Sequence, residues 1–408
     1  MDIPNLYRTR QFVQFSAYGF LKNLRFFDAF LMIFLVGKHL DFTAIGSLYA
    51  ARELAGYVLE VPSGLMADQL GRKRSLLCSF GLYMISFLLF HQAESFWALL
   101  AGMLLFGTAD AFRSGTHKGM IMTWLAHHGS LDQKVAFYGR TRSWSQMGSS
   151  VSALLAGILI FYDGQYDRIF LYSMIPYGLN LINVWSYPPT LDMGSKKSRR
   201  PGFRVVWNRY LDVIRNIRLL RIVHSAAAHS AFTKSLKDYL QPILLQLSFG
   251  IPILLDYSLE KKSGLIIGIT YFVIYQLSSL ASRRADLFRD LHKIGPRSLF
   301  LGLCAGLLYG MMILMELYWA ALLPVVIVYV IENIRKPILT GEVADEVPDD
   351  ILTSVLSTQS FWKTMLTAGM SLMLGVLIDW QGIGAGIVMG TATLLMVTFA
   401  LERKIFFR

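Results

Sequence analysis

Long apolar stretches alternate with short polar and basic turns along almost the whole chain. A transmembrane helix needs about 20 consecutive apolar residues to cross a hydrocarbon core of about 30 Å. By that measure the pattern predicts an all-α membrane protein with twelve membrane-spanning helices. The predicted spans cover approximately residues 12–37, 42–63, 75–93, 96–125, 141–162, 166–187, 222–248, 262–281, 297–315, 318–336, 352–379 and 382–401.

The composition agrees with a protein embedded in a bilayer. Hydrophobic residues make up 54% of the 408 residues and charged residues only 16%, whereas a soluble globular domain has roughly 25% charged residues. The net charge is +12, and most of the 39 Lys and Arg residues fall in alternate loops. The positive-inside rule then places both termini in the cytoplasm. Because topology explains the basic charge, nucleic acid is not an expected partner.

Two consecutive prolines mark the natural boundary between two halves of the chain. Pro188 and Pro189 open the longest predicted loop, which holds a dense group of basic residues. In the second part of this loop, apolar residues recur at helical intervals among arginines. That spacing favours a helix on the inner leaflet, acting either as a passive connection or as a regulatory surface. The predicted regions are a six-helix bundle over 1–188, a basic cytoplasmic linker with this interfacial helix over 189–221, and a second six-helix bundle over 222–408.

A weak internal repeat relates the two halves, as expected for two parallel six-helix units. Charged and aromatic residues recur in the same order and at similar offsets in both halves. We therefore expect two pseudo-symmetric bundles. The corresponding residues are Lys22 and Lys234, Arg25 and Lys237, Asp110 and Glu332, Arg113 and Arg335, and Trp144 and Trp362.

A polar and basic turn follows the second predicted span. It runs from Gly64 to Arg74 with the sequence Gly-Leu-Met-Ala-Asp-Gln-Leu-Gly-Arg-Lys-Arg. Its glycines let two helix ends approach closely, and its basic residues favour the cytoplasmic side. This run resembles the signature loop between the second and third helices of the major facilitator superfamily of secondary transporters. The matching positions are Gly64, Ala67, Asp68, Gly71, Arg72 and Lys73.

The resemblance implies a fold in which two six-helix bundles rock about a site near the middle of the membrane. It also implies that Asp68 contacts the start of the eleventh helix and latches the cytoplasmic side, because a negative charge is stabilised near the positive end of a helix dipole. The residues implied in this conformational latch are Gly64, Asp68, Gly71, Arg72 and Lys73.

Several charged residues fall inside the predicted spans. A charge at the centre of a spanning helix costs roughly 2.5 to 3.5 kcal/mol, so these residues must face a cavity or one another. In the first and seventh spans, four cations accompany only Asp28 and Asp238, and an anionic or zwitterionic solute would supply the missing negative charge. The charged pairs in the fourth and tenth spans could instead be static ion pairs between helices. The candidate substrate-binding residues are Lys22, Arg25, Arg113, Lys234 and Lys237.

Carboxylates within the spans are candidates for carrying a coupling ion, which we expect to be a proton. Burial and a neighbouring arginine change the proton affinity of a carboxyl group in opposite directions, so the sequence does not identify which one titrates. Arg113 resembles an arginine that many proton-linked members of the superfamily carry in the fourth helix. His224 and His229 are expected to be solvated helix-end residues rather than proton relays. The candidate proton carriers are Asp28, Asp110, Asp238 and Glu332.

These patterns predict a secondary active transporter that moves a small organic anion or zwitterion across the plasma membrane, taken as a bacterial inner membrane, by alternating access. A proton-coupled multidrug or metabolite exporter is the alternative, favoured by aromatic residues such as Phe26 and Tyr239 in the spans. Drug antiporters of the superfamily usually carry a Gly-Pro pair in the fifth helix. No proline lies between Gly148 and Gly157, which weakens that alternative. A receptor or assembly protein on the same scaffold is a third class.

Motifs typical of enzymes do not occur in the sequence. It has no Gly-rich loop ending in Gly-Lys-Ser/Thr, no paired-histidine metal helix and no nucleophile elbow. We therefore expect no catalysis, no cofactor and no bound metal. The expected partners are a small-molecule substrate, a coupling ion and the lipid bilayer, and the protein is expected to act as a monomer.

Overall fold

A computed structural model describes residues 6–130, 133–192, 217–249, 256–283, 294–346 and 349–406. Within these ranges every regular element is an α-helix or a short 3₁₀-helix, as the apolar periodicity predicts. The predicted interfacial helix of the linker lies outside the described residues.

Nine α-helices form the first half of the described chain. Most follow the predicted apolar stretches, although polar residues divide some of those stretches into two helices. Their bounds are α1 Arg10–Lys22, α2 Leu31–Gly37, α3 Phe42–Val58, α4 Glu60–Leu70, α5 Arg72–Gln92, α6 Phe96–Arg113, α7 Thr116–His127, α8 Lys134–Asp163 and α9 Arg168–Trp185.

Seven α-helices form the second half of the described chain. The helices here are longer on average, and several continue beyond the predicted span into the flanking polar residues. Their bounds are α10 Ile217–Leu236, α11 Leu240–Phe249, α12 Leu259–Arg283, α13 Ile294–Leu314, α14 Tyr318–Glu346, α15 Asp349–Gln381 and α16 Ile383–Phe406.

Eight helical segments of the described chain are long and apolar enough to cross a membrane. They belong to α5, the α6–α7 pair, α8, α12, α13, α14, α15 and α16. The prediction of a helical, multi-pass membrane protein is therefore confirmed. The count of twelve spans and the cytoplasmic position of both termini stay predictions.

The first predicted span is interrupted where its charged residues lie. Helix α1 ends at Lys22, a 3₁₀ turn covers Phe26–Ala29, and α2 begins only at Leu31. The Asn23 side chain donates a 2.7 Å hydrogen bond back to the Gly19 carbonyl, which offers the backbone an alternative to helical bonding. The free Lys22 carbonyl accepts a 3.1 Å hydrogen bond from the Tyr177 hydroxyl. A polar side chain thus satisfies the backbone at the break, as a buried site requires.

The seventh predicted span has an irregularity at the corresponding position. Helix α10 ends at Leu236, and a 3₁₀ turn at Lys237–Tyr239 precedes α11. The first and seventh spans were predicted to be continuous, so both interruptions are additions to the sequence-based picture. Their matching positions agree with the internal repeat.

The chain divides into two compact units whose segments interleave along the sequence. The first unit comprises Met1–Phe34, Ala51–Arg199 and Ile251–Tyr275, and the second comprises Leu35–Ala50, Arg200–Gly250 and Gln276–Arg408. The predicted boundaries, at 188 and 222, stay predictions of the bundle organisation.

Glycines explain why segments distant in sequence belong to the same unit. In the first unit, α8 and α12 approach so closely that a Cβ at Gly157 would lie 2.6 Å from the Gly264 carbonyl oxygen. In the second unit, α3 packs on α15, and a Cβ at Gly375 would lie 2.8 Å from the backbone of Phe42. Only glycine permits such backbone contact.

Candidate functional site

A carboxylate that binds two arginines lies in the first unit. The Asp110 Oδ1 atom lies 2.6 Å from Arg113 Nη2 and 3.5 Å from Arg25 Nη2, and it also accepts a hydrogen bond from the Tyr83 hydroxyl. The side chains of Asp110, Arg113 and Arg25 retain 31%, 22% and 21% of their exposed surface. The three charges are therefore grouped in one place and remain partly accessible. We call these residues, with Lys22 and Tyr177, the Asp110 cluster.

Aromatic residues fix the positions of the two guanidinium groups. Arg113 Nε donates a 3.0 Å hydrogen bond to the Tyr83 hydroxyl, and Arg25 Nε donates a 3.0 Å hydrogen bond to the Tyr177 hydroxyl. The Arg25 guanidinium also lies 5.3 Å from the centre of the Phe106 ring, within the range of a cation–π interaction. Both arginines are therefore pre-organised, with part of each guanidinium left to interact with another group.

The Asp110 cluster carries more positive than negative charge. Lys22, at the end of α1, interacts electrostatically with Arg25, Asp110 and Arg113. Its amino group has no hydrogen-bond or ion-pair partner among the described residues. Two guanidinium groups and the Lys22 amino group thus surround one carboxylate. The structure brings together four residues that the sequence proposed for substrate binding or proton coupling, namely Lys22, Arg25, Asp110 and Arg113.

A histidine that the sequence interpretation missed adjoins this cluster. The His117 ring stacks on Tyr18 at a centroid distance of 3.6 Å and an interplanar angle of 8°, and its Nε2 lies 3.3 Å from the Tyr187 hydroxyl. It also interacts electrostatically with Lys22 and Arg113. Its position four residues after Arg113 keeps it close along the chain, but α6 ends at Arg113 and α7 begins at Thr116, so helical spacing could not have placed it beside the cluster.

The corresponding charges in the second unit have a different arrangement. Glu332 lies 2.8 Å from His229 Nδ1 and accepts a hydrogen bond from Ser230. Arg335, which is only 2% exposed, donates to the Ser225 carbonyl at 2.7 Å and to the Ser298 hydroxyl. The repeat therefore preserves the positions of the acid and the arginine, but each has acquired partners of its own.

Both histidines of α10 are buried, so the expectation of solvated helix-end residues is wrong. His224 and His229 are 0% and 1% exposed, because α10 begins at Ile217 and places them two and three turns inside the helix. The His224 ring lies 3.0 Å from the Thr398 hydroxyl and accepts a 3.1 Å hydrogen bond from Trp362. It is fixed by its neighbours in the helix packing.

The remaining candidates of the second unit lie beside the irregular turn. Lys234 is exposed, Lys237 is partly buried and Asp238 is buried. Gln241 lies 3.5 Å from the Asp238 carboxylate. In the first unit, Asp28 lies in the 3₁₀ turn that follows Arg25. Lys234 and Lys237 stay candidates for substrate binding, and Asp28 and Asp238 stay candidates for proton coupling.

The signature loop is attached to other parts of the first unit. Gly71, with φ +100°, joins α4 to α5. The Lys73 backbone N–H donates to the Asp192 carboxylate at 2.7 Å, so Asp192 caps the start of α5. The Lys73 ammonium donates to the Tyr187 carbonyl at 2.8 Å, and Arg72 donates to the Thr123 hydroxyl at 2.8 Å. The Asp68 side chain lies outside the described residues, and its latch role stays a prediction.

A second capping carboxylate lies in the second unit and was not singled out from the sequence. Asp379, near the end of α15, accepts hydrogen bonds from the backbone N–H groups of Phe42 and Thr43 at 2.9 and 2.7 Å. It also accepts a 2.6 Å hydrogen bond from the Thr43 hydroxyl. The start of α3 is thereby tied to the end of a helix more than 330 residues later in the sequence.

Three kinds of comparison relate the chain to known proteins. Residues 19–364 match the family model of the Major Facilitator Superfamily. The chain is 24% identical over 284 residues to the uncharacterized MFS-type transporter YxaM of Bacillus subtilis (strain 168). That match covers 67% of this chain and 65% of the relative, slightly less than two thirds of its length.

Solved transporter structures share the fold at low sequence identity. A mutant of the nucleoside transporter NupG has a TM-score of 0.79 and 14% identity, covering 96% of this chain and 99% of its own. A POT family transporter in complex with 5-aminolevulinic acid has a TM-score of 0.67 and 12% identity, covering 98% of this chain and 96% of its own. The family match spans well over half of the sequence and is accompanied by this likeness in fold. The chain therefore belongs to the major facilitator superfamily of membrane transporters.

Proposed function

We propose that this protein is a secondary active transporter that moves a small organic anion or zwitterion across the plasma membrane by alternating access. The observation that carries the proposal is the excess of positive charge in the Asp110 cluster, where Lys22, Arg25 and Arg113 surround a single carboxylate. A cation inside a membrane protein is costly unless it faces water or a partner. A carboxylate or phosphate of a bound solute would provide that partner.

The chemistry of the cluster suits an oxyanion. An arginine presents several N–H groups in a planar fork that matches a carboxylate or phosphate. The Nε–H groups of Arg113 and Arg25 donate hydrogen bonds to the Tyr83 and Tyr177 hydroxyls. These bonds fix the orientation of both guanidinium groups. Asp110 could in turn receive the ammonium group of a zwitterion. One structure of similar fold contains 5-aminolevulinic acid, a molecule with one carboxylate and one amine.

The test is binding of organic anions, zwitterions and cations to the purified protein, measured as the shift in melting temperature. A ligand that binds only the folded protein raises that temperature. We expect anions or zwitterions to give the shift and the single variants Lys22→Gln, Arg25→Gln, Lys234→Gln and Lys237→Gln to reduce it. The matched control is Lys118→Gln, because Lys118 is exposed and outside the cluster. Survival of all anion binding in all four variants contradicts the proposal.

A multidrug or metabolite exporter is the second candidate. The aromatic character of the cluster's surroundings favours it, since Tyr83, Phe106 and Tyr18 pack beside the charged groups and the Tyr18 ring stacks on His117. Aromatic dyes without an anionic group, added to the same melting experiment, separate the two candidates. Stabilisation by such dyes that persists in Arg25→Gln would favour the exporter.

We infer that transport is coupled to a proton, for which Asp28, Asp110, Asp238 and Glu332 are the candidate carriers, and that the protein works as a monomer in a bacterial inner membrane. Alternating access would involve bundles over 1–188 and 222–408. Proteoliposomes with an imposed pH gradient test the coupling: substrate should accumulate, and accumulation should collapse when the gradient is removed. Uptake that is indifferent to the gradient contradicts proton coupling.

We also infer that Asp68, with Gly64, Gly71, Arg72 and Lys73, latches the cytoplasmic side. Replacing the carboxylate by an amide removes the charge that a helix N-terminus stabilises. Asp68→Asn should insert into the membrane normally but lose transport in proteoliposomes. Normal transport by this variant would reject the latch.

A further inference from the structure

A histidine and a glutamate form a buried pair in the second unit. The Glu332 Oε2 atom on α14 lies 2.8 Å from His229 Nδ1 on α10, and the other carboxylate oxygen accepts a hydrogen bond from Ser230. Thr233 donates a 2.8 Å hydrogen bond to the His229 carbonyl. Both oxygens of the carboxylate and one nitrogen of the imidazole are therefore oriented by specific contacts.

The pair has one dry end and one accessible end. The His229 side chain is 1% exposed, whereas that of Glu332 is 13% exposed. The Nε2 atom of His229 has no hydrogen-bond partner in the described part of the chain. The ring packs directly on Gly302 of α13, where any Cβ would collide with it. A proton that reaches the pair must therefore arrive at the carboxylate.

We propose that the His229–Glu332 pair is the proton-binding site of the second unit, with the proton taken up on the Glu332 carboxylate. This inference rests on the proton coupling in the proposed function and assigns it to one site. In the unloaded state, His229 Nδ1–H donates to the carboxylate and the pair has a charge of −1. In the loaded state, the oxygen facing Ser230 carries the added proton, Ser230 becomes the acceptor, and the pair is neutral.

The His229 ring explains why the proton resides on the carboxyl group. A second proton on the imidazole would create an N–H at Nε2, and that N–H would be buried without an acceptor, which is costly. Protonation of Glu332 leaves the Nδ1–H hydrogen bond to the other oxygen intact. The neutral histidine thus stabilises the carboxyl group in both protonation states.

The charged groups of the described residues that interact electrostatically with the pair are cationic. Arg335 and Lys336, both on α14, interact electrostatically with it. Among the other helices that pack on α10, α13 presents Gly302 to the ring and carries the exposed Arg297 near its start. Helix α15 carries Lys363 in its central part, and α16 has only apolar and hydroxyl side chains between Ile383 and Leu401. Gain or loss of a proton on Glu332 therefore changes the net charge of this region.

Asp110 is less suited to the same task. Its carboxylate compensates the guanidinium groups of both Arg25 and Arg113, so protonation would leave two cations without their counter-charge. Glu332 has a neutral hydrogen-bonding partner instead, and it can change charge while keeping its contacts. The contrast favours Glu332 over Asp110 as the residue that takes up the proton.

The test is infrared difference spectroscopy of the purified protein in nanodiscs, recorded while the pH is changed without any substrate. The wild type should show a carboxylic acid carbonyl band that appears as the pH falls. Glu332→Gln should lose this band. His229→Asn keeps an N–H donor and should keep the band. The pH at which half of the band has appeared should change by about one unit or more, because a direct hydrogen-bond partner of the carboxyl group has changed. Glu316→Gln is the control, because Glu316 is exposed in a loop.

Persistence of the full band in Glu332→Gln, or an unchanged midpoint in His229→Asn, overturns the proposal. Folding of each variant is checked by size-exclusion chromatography and melting temperature. If either variant does not fold, Glu332→Asp is used instead and should displace the carboxylic acid band. An unchanged band in that variant also overturns the proposal. Melting-temperature shifts with organic anions are measured on the same samples. If organic anions bind but the infrared band of Glu332 does not titrate, only the proton site is overturned. If the band titrates but no organic anion binds, only the proposed substrate class is overturned.

Discussion

The Asp110 cluster of the first unit and the Glu332 region of the second unit start from the same sequence pattern, an acid followed three residues later by an arginine. In the first, Arg113 binds Asp110 directly at 2.6 Å. In the second, Arg335 donates to a serine carbonyl and a serine hydroxyl, while Glu332 contacts His229. Charged residues can therefore occupy matching positions in the two halves and still differ in their partners, because the neighbouring helices supply different side chains.

This contrast gives the two arginines different expected roles. Arg335 is 2% exposed and satisfies a buried backbone carbonyl, which is a structural task. Arg113 remains 22% exposed beside Arg25 and Lys22, which leaves it able to bind a solute. Three sets of substitutions test the comparison between the two regions, beginning with the largest expected effect.

Removal of the buried arginine should cost the most stability. Arg335→Ala leaves the Ser225 carbonyl and the Ser298 hydroxyl without their donor, and losing a buried charged hydrogen-bonding group costs about 3 kcal/mol. The expected result is a melting temperature in detergent well below that of the wild type. Arg113→Ala serves as the matched control and should lower it less. Equal losses in the two variants would break the comparison.

Removal of the accessible arginine should instead affect binding. Arg113→Gln deletes a charged donor to the solute, and a charge-assisted hydrogen bond contributes about 1.5 to 3 kcal/mol. We expect the affinity for an organic anion to fall about tenfold to a hundredfold, measured by titration calorimetry. Arg335→Lys, which retains the charge at the buried site, should bind the same anion with nearly wild-type affinity if it folds. Unchanged anion affinity in Arg113→Gln would show that both arginines are structural.

The hydroxyl groups around each carboxylate should give the smallest effects. Tyr83→Phe removes the hydroxyl that bridges Asp110 and Arg113, and a single hydrogen bond is worth about 1 kcal/mol. We expect about a fivefold loss of anion affinity, measured by the same titration. The counterpart Ser230→Ala removes the donor to Glu332, and it should displace the pH response while leaving anion affinity nearly unchanged. The opposite pattern of effects would contradict the assignment of the two regions.

Much of the fold could be predicted from the sequence because apolar runs of membrane-spanning length have few alternatives to a helix. The interruptions at Lys22 and Leu236 could not be placed, since the apolar pattern continues across them and the break depends on partners such as Tyr177. Residues proposed for the site did come together around Asp110, because cations inside a spanning helix must share a polar environment. His117 and His229 were missed or misjudged because their burial depends on helix packing.

The two capping carboxylates also could not be predicted from the sequence. Asp192 lies in the predicted linker and Asp379 at the end of a predicted span, and an acidic residue is common in both places and gives no indication of a capping role. Their roles arise because α5 and α3 begin beside them in space. Sequence spacing cannot reveal contacts between segments that are so distant along the chain.

The sequence by itself determined that this is a helical membrane protein of a transporter family and that charged residues lie within its apolar stretches, and it predicted a repeat between the two halves. These features follow from local composition. Hydropathy determines which segments insert into the bilayer, and a charged residue within such a segment needs an interaction partner. Only the tertiary structure decided which partner each charge has. Asp110 has two arginines and Glu332 a buried histidine, because hydrogen bonds and ion pairs form over about 3 Å between helices whose order in the chain does not specify their contacts.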